Sequence, residues 1–331
     1  MSPRLLEVRD LSTRYFTSGG TVHAVDEVNF DLDAGETLGL VGESGCGKTA
    51  TVLSLTRLIP PRQGRTVSGT VRLNGQDLLA LPMSQMRRVR GRKIGFIPQD
   101  ALSSLNPLMT VGAQIAEALR LHLRLGREAA KNRTVELLRR VGIPNPEVRV
   151  RDYPHQFSGG MRQRVGIAMA ISCEPVLLIA DEPTTALDLT TQAQILEMLK
   201  DLAQDLGTAL ILVTHDLGVA AYMCDRISVM YAGHIVESAS AQEFFDHPRM
   251  PYSWNLMAAS PSAEPTGDGR LRAIPGAPPN LMRVGDRCRY APRCSYARDV
   301  CTAREPQLLY RSDPEHLARC WGTEPDGWIR S

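Results

Sequence analysis

The sequence predicts an α/β fold built on a phosphate loop. It has a parallel-sheet core, an antiparallel β portion ahead of it, a helical segment inserted into it and a small cysteine-containing extension at the C-terminal side. Three observations carry this. The apolar run Leu38-Gly39-Leu40-Val41 leads straight into Gly42-Glu43-Ser44-Gly45-Cys46-Gly47-Lys48-Thr49, a strand ending in a Gly-rich turn that closes on Lys-Thr. Two more continuous apolar runs, Val176 to Ala180 and Ala209 to Val213, read as strands covered on both faces, as parallel sheets require. From Val111 to Val141 the residues Ile115, Leu119, Leu123 and then Leu137, Leu138, Val141 recur at three- and four-residue steps, a helical period interrupted near Gly126.

In chain order, alternating β-type stretches fill Leu6 to Leu38 and return at Gly69 to Leu73, where Asn74-Gly75 predicts a hairpin turn. The helical segment follows Gln99, and the sheet core resumes through Val176, Leu210 and Ile227. The densest basic run, Arg87, Arg88, Arg90, Arg92 and Lys93, reads as a solvated face before a strand, with an anionic membrane surface as the other reading. A 331-residue chain with 43% hydrophobic content supports two domains and an ample core. A formal net charge of +2 gives no nucleic-acid footprint, and no nucleic-acid partner is expected. Met1 to Phe16 lacks the apolar core of a signal peptide, and no apolar run reaches membrane-span length, so a cytoplasmic location is expected.

The chemistry follows from the same runs. In Gly42–Thr49 small residues let backbone N–H groups wrap a polyphosphate, Lys48 reaches the outer phosphates and the Thr49 hydroxyl can take Mg²⁺. Ser158-Gly159-Gly160-Met161 opens a helical stretch, and such a start offers N–H groups and a positive dipole end to an anion, or is simply an N-cap. The apolar run from Val176 delivers Asp181 and Glu182 at its carboxyl end, where Asp181 can serve Mg²⁺ while Glu182 faces an attacking water.

With these motifs on one chain, the sequence resembles the ATPase subunit of an ABC transporter over roughly residues 5 to 260. The resemblance implies ATP and Mg²⁺ as ligands and assigns roles by position. Gly42, Glu43, Ser44, Gly45, Cys46, Gly47, Lys48 and Thr49, with Ala50 after them, are its Walker A loop, and Gln99 is its Q-loop glutamine. Ser158, Gly159 and Gly160 belong to its signature, which Met161 closes where glutamine is commonest. Asp181 and Glu182 form its Walker B with the catalytic carboxylate; Ala186-Leu187-Asp188 resembles its D-loop, and His215, after Ala209 to Thr214, its switch histidine. Glu182, His215 and Gln99 are thus the expected catalytic residues, and Thr49, Gln99 and Asp181 the expected Mg²⁺ site. Tyr15 is placed to stack on adenine, with Phe16 competing for that role. The family holds each ATP between Walker A of one domain and the signature of another. This chain has one of each, so it must pair.

Asp100 to Thr110, Tyr153-Pro154-His155-Gln156-Phe157 and the tail, from His247-Pro248 through Ile274-Pro275-Gly276-Ala277-Pro278-Pro279 to Cys294, resemble the dipeptide and oligopeptide importers. Nickel and some oligosaccharide importers use the same type of subunit, and a soluble, non-transport ABC ATPase is the alternative of another class. The resemblance implies two membrane permease subunits, a second similar ATPase subunit, an extracytoplasmic substrate-binding protein, and a peripheral place on the cytoplasmic face of the membrane. Ala101 to Pro107 is the expected permease-docking segment. The expected domains are 1–260, with the helical subdomain at about 100–170, and an extension at 261–331. There Cys288, Cys294, Cys301 and Cys320 are spaced C-x5-C-x6-C-x18-C. Clustered thiols in a reducing compartment suggest a metal site, and tight CxxC pairs for zinc are absent. The resembling subfamily carries a four-iron four-sulfur centre there, with zinc or free thiols as alternatives. Arg287, Arg289 and Arg293 are expected to offset that cluster's charge, and the phosphate loop is expected not to depend on the tail.

Overall fold

The computed structural model describes residues 4–100, 104–185, 187–260, 273–310, 315–323 and 327–329. It divides into two compact units, one of Met1–Leu32, Thr37–Leu79 and Leu212–Ser331, the other of Asp33–Glu36 and Ala80–Ile211. Ala101–Ser103 of the expected docking segment and Ala186 of the expected D-loop lie outside the described residues.

In the first unit, Leu6–Thr17 pairs antiparallel with Gly20–Leu32 on one side and Gly64–Leu73 on the other. Apolar residues face apolar residues across the first ladder, Leu6 opposite Leu32, Val8 opposite Phe30 and Leu11 opposite Val28, and all six are buried. This is the stabilising cross-strand pattern of a half-buried sheet. Gly64–Leu73 turns into Gln76–Asp77 with Leu73 opposite Gln76. The two turn residues, Asn74 and Gly75, have φ of 49° and 76°, the left-handed pair that a two-residue hairpin needs. A second sheet places Thr37–Val41 parallel to Arg226–Tyr231, Leu38 beside Arg226 and Val41 beside Val229. Arg226–Tyr231 then pairs antiparallel with His234–Ser240.

The C-terminal extension continues this second sheet. Leu317–Ala318 pairs antiparallel with Glu237 and Ser238, and Leu309–Tyr310 pairs in turn with Leu317–Ala318. Beneath it, Glu237, 0% exposed, accepts main-chain hydrogen bonds from Arg249 and Met250 and bonds His316 Nε2 at 2.7 Å. A buried carboxylate is tolerable only with such partners.

In the second unit, Ile94–Ile97 lies parallel to Leu177–Asp181. The second strand begins at Leu177, one residue later than the sequence run, leaving Val176 38% exposed, and it takes in Asp181. The helical period resolves into Val111–Leu123 and Arg127–Arg140, with Gly126 as the N-cap of the second. Ile115, Leu119, Leu137, Leu138 and Val141 form its buried stripe, and Thr110 Oγ1 caps the first helix from Ala113 N–H. Gly159–Ile171 and Leu189–Leu206 complete the main helices. The basic run lies mostly on Met83–Arg92, which buries Met86 and Val89 and leaves Arg87 and Arg88 in solvent. Arg92 and Lys93 are exposed as well, so the solvated-face reading describes the whole run except the half-buried Arg90. Ala209–Thr214 is buried at every residue, as its unbroken apolar sequence requires. Among the described residues no helix is long and apolar enough to cross a membrane.

Candidate nucleotide site

The phosphate loop leaves the end of Thr37–Val41 and enters the helix Lys48–Leu55. Two glycines make that turn possible. Gly42 has φ 148°, and a Cβ there would meet the Met230 carbonyl oxygen at 2.3 Å; Gly47 has φ 114°, and its Cβ would meet the Ala24 carbonyl at 2.3 Å. Both clashes are with backbone, so neither position admits a side chain. The buried Lys48 ammonium donates to the carbonyls of Gly42 at 2.7 Å and Glu43 at 3.0 Å, and lies 3.8 Å from Cys46 Sγ. Cys46 is buried, which raises its thiol pKa and makes it a packing residue rather than a nucleophile. Ser44, Gly45 and Thr49 face solvent. The loop thus presents a helix N-terminus with a fixed ammonium behind it, an anion site. Tyr15 lies near the end of Leu6–Thr17, half-buried, with its ring against Gly64. Phe16 is exposed, and the Arg65 guanidinium lies 5.5 Å from its ring centre. His215 follows Ala209–Thr214 directly and is exposed.

In the second unit Asp181 ends its strand at 3% exposure. The next residue, Glu182, has φ 46°, a left-handed conformation uncommon outside glycine. Its Oε2 accepts from Gln99 Nε2 and from Thr185 Oγ1, both at 3.0 Å. Gln99 stands two residues beyond Ile94–Ile97, so two neighbouring parallel strands bring the amide and the carboxylate together. Asp188 is the N-cap of Leu189–Leu206, accepting from Thr191 N–H at 3.0 Å and Thr191 Oγ1 at 2.7 Å. Those bonds lower its pKa. Ser158 is likewise an N-cap; its Oγ accepts from Met161 N–H, and Ser158 and Gly159 are exposed at the helix start. The N-cap and the anion-site readings of Ser158 are compatible, because capping leaves the N–H groups of Gly159 and Gly160 pointing outward.

One expectation about the tail changes. Arg293 and Arg289 do not serve the cysteines. Arg293 forms a two-pronged pair with Glu43 of the phosphate loop, and Arg289 pairs with Asp26 and donates to the Ala232 carbonyl at 2.6 Å. The tail therefore touches the loop, and the Glu43 main-chain N–H also donates to Tyr252 Oη at 2.9 Å. Sequence reading could not find Arg293 or Tyr252, because the partners stand 250 and 209 positions away.

Of the four tail cysteines, Cys301 and Cys320 are buried, and Cys288 and Cys294 are partly covered. The Cys288 N–H donates to the Cys301 carbonyl at 3.0 Å. Burial pushes the Cys288 thiol up to about 12, and the nearby Cys301 and Cys320 add to the shift. Burial, with Cys320 and Cys301, raises Cys294 in the same direction. The thiols are near enough to feel one another's charge. Among the described residues, however, no group of three or more His, Cys, Asp or Glu side chains could hold a metal ion, which supports neither the expected iron-sulfur cluster nor its zinc alternative.

Residues 25–185 match the ABC transporter family, and residues 236–301 match the family described as the C-terminal region of oligopeptide/dipeptide transporters. The chain is 51% identical to the oligopeptide transport ATP-binding protein OppD of Bacillus subtilis over 98% of this chain and 90% of that protein. It is 45% identical to the dipeptide transport ATP-binding protein DppD of the same organism, over 96% and 94%. Among solved structures it is similar to the dimeric ATP-binding cassette MJ0796 bound to ADP and Pi, with a TM-score of 0.64 and 27% identity over 71% of this chain and 98% of that one. A phosphate loop, a strand-end Asp-Glu pair held by a glutamine, a capped Ser-Gly-Gly helix start and a near full-length likeness agree: this chain is an ATP-binding protein of the ABC transporter family, of the branch that carries the oligopeptide/dipeptide C-terminal region.

Proposed function

We propose that the chain hydrolyses ATP to drive peptide import through an ABC transporter, on the cytoplasmic face of the membrane. The observation that carries this reading is the tail. Residues 236–301 match the oligopeptide/dipeptide region, and the relatives that align across nearly the whole chain are named for peptide transport. That favours peptides over nickel or oligosaccharides, and import over a soluble non-transport role. The chain works with two permease subunits, an extracytoplasmic binding protein and a second, similar ATPase subunit. The dimeric state of the MJ0796 cassette supports such pairing.

In the reaction, the N–H groups of Gly45 to Thr49 and the Lys48 ammonium bind the phosphates, and Tyr15 stacks on the base. Thr49, Gln99 and Asp181 would hold Mg²⁺, which neutralises phosphate charge and orients the leaving group. Glu182 orients the attacking water and takes its proton, His215 holds the outer phosphate, and Ser158 to Gly160 with Asp188 serve the partner subunit's nucleotide. Closing two such subunits on ATP and releasing them after hydrolysis moves the permeases.

Cys288, Cys294, Cys301 and Cys320 would hold a four-iron four-sulfur centre, whose chemistry here is to cross-link a small tail with little core of its own.

The test is reconstitution in proteoliposomes with both permeases, the second ATPase and the binding protein. ATP-dependent uptake of a labelled oligopeptide is expected. Uptake of nickel or an oligosaccharide instead of peptide would overturn the cargo, and ATPase activity indifferent to permeases would overturn the transport role.

A further inference from the structure

Arg293 stands in the C-terminal extension, one residue before Cys294, yet its guanidinium is committed to the phosphate loop. Nη1 donates to Glu43 Oε2 at 2.7 Å and Nη2 to Glu43 Oε1 at 3.0 Å. Only 4% of the Arg293 side chain is exposed. The fork is itself held in place: Nε donates to the Pro275 carbonyl at 2.6 Å, and the rings of Tyr231 and Tyr290 flank the guanidinium at 5.8 and 6.0 Å. Glu43 is fixed at three points, its carboxylate by Arg293, its N–H by Tyr252 and its carbonyl by Lys48.

The charge arithmetic gives the contact a purpose. Glu43 is the one carboxylate within Gly42–Thr49, and a loop that takes a polyphosphate gains from positive potential and loses from a negative side chain at its mouth. A bidentate arginine neutralises that carboxylate and sets its direction, which a lysine's point charge does less well. We propose that Arg293 is a positioning residue of the nucleotide site: by neutralising and orienting Glu43 it sets the affinity of the phosphate loop, so ATP binding depends on the folded extension. The proposal rests on reading Gly42–Thr49 as the phosphate loop.

The experiment is a double-mutant cycle on the full-length chain, read as the equilibrium dissociation constant for MgATP. Arg293→Met is expected to weaken binding about tenfold, which corresponds to about 1.4 kcal/mol. Arg293→Lys should recover part of the loss. In a Glu43→Gln background, with no carboxylate left to neutralise, adding Arg293→Met should change affinity by less than about twofold, the difference being the coupling between the two residues. If Arg293 mattered only for tail packing, its loss would weaken binding equally in both backgrounds. That result, or unchanged affinity in Arg293→Met, overturns the proposal. Lys48→Ala is measured alongside. Its loss of binding upholds the phosphate-loop reading independently of Arg293, whereas unchanged affinity there would overturn that reading and the proposal with it.

Discussion

Gln99 Nε2 donates to Glu182 Oε2 at 3.0 Å, joining the ends of two parallel strands through side chains 83 positions apart. The carboxylate accepts from an amide and from the Thr185 hydroxyl. Both bonds fix the direction of the carboxylate, and a general base must be positioned in this way to meet a water molecule.

Replacing that carboxylate tests its role. Glu182→Gln should still bind MgATP, because the phosphate contacts lie in Gly42–Thr49, but should lose roughly 10²–10⁴ in turnover. The check is steady-state hydrolysis in the assembled transporter together with nucleotide affinity of the variant. Near-normal turnover would remove Glu182 from the catalytic role.

What the sequence made legible follows from how local each signal is. Gly42 and Gly47 announce themselves because only glycine fits beside the Met230 and Ala24 carbonyls, and Asn74-Gly75 because its φ values suit few other residues. The stripe from Ile115 to Val141 was readable from its period. The positive φ of Glu182 leaves no compositional trace, since glutamate gives no hint of left-handed backbone. Leu309–Tyr310 and Leu317–Ala318 are two residues each, too short for alternation to show. The Arg293–Glu43 and Arg289–Asp26 pairs join residues 250 and 263 positions apart. An arginine beside cysteines reads the same whether it serves them or a distant carboxylate.

Base stacking separates Tyr15 from Phe16. Tyr15 is half-buried against Gly64, whereas Phe16 is exposed beneath Arg65. Tyr15→Ala should weaken ATP binding by about 1–3 kcal/mol, the scale of base–aromatic stacking, and Phe16→Ala by less. Calorimetric titration of both variants decides the order, and a larger loss in Phe16→Ala would move the role there.

Iron and sulfide content tests the tail cysteines. Anaerobically purified protein should be brown and carry about four iron and four sulfide per chain, and Ser in place of any of Cys288, Cys294, Cys301 or Cys320 should bleach it. Because Arg293 adjoins Cys294 and grips Glu43, Cys294→Ser should also weaken ATP binding, unlike Cys173→Ser in the other unit. Colourless protein with no iron would leave four free thiols and a tail held by its strands and ion pairs alone.

Acid stability tests the buried histidine His234, 2% exposed at the start of His234–Ser240. Burial lowers its imidazole to about 4 against the opposing pull of Asp26, while an unfolded histidine titrates near 6.5. Between those values the unfolded chain takes up a proton that the folded one refuses. This contribution is therefore intact above about pH 6.5 and is lost as pH falls toward 4, with a slope of up to about 1.4 kcal/mol per pH unit. Glu305, whose carboxyl burial raises, works in the opposite direction, because its proton is bound more tightly in the folded state. The comparison of wild type with His234→Gln isolates the histidine. Denaturant unfolding from pH 7.5 to 4.5 should show a flatter decline in the variant, and equal slopes for the two proteins would mean that His234 titrates alike in the folded and the unfolded chain.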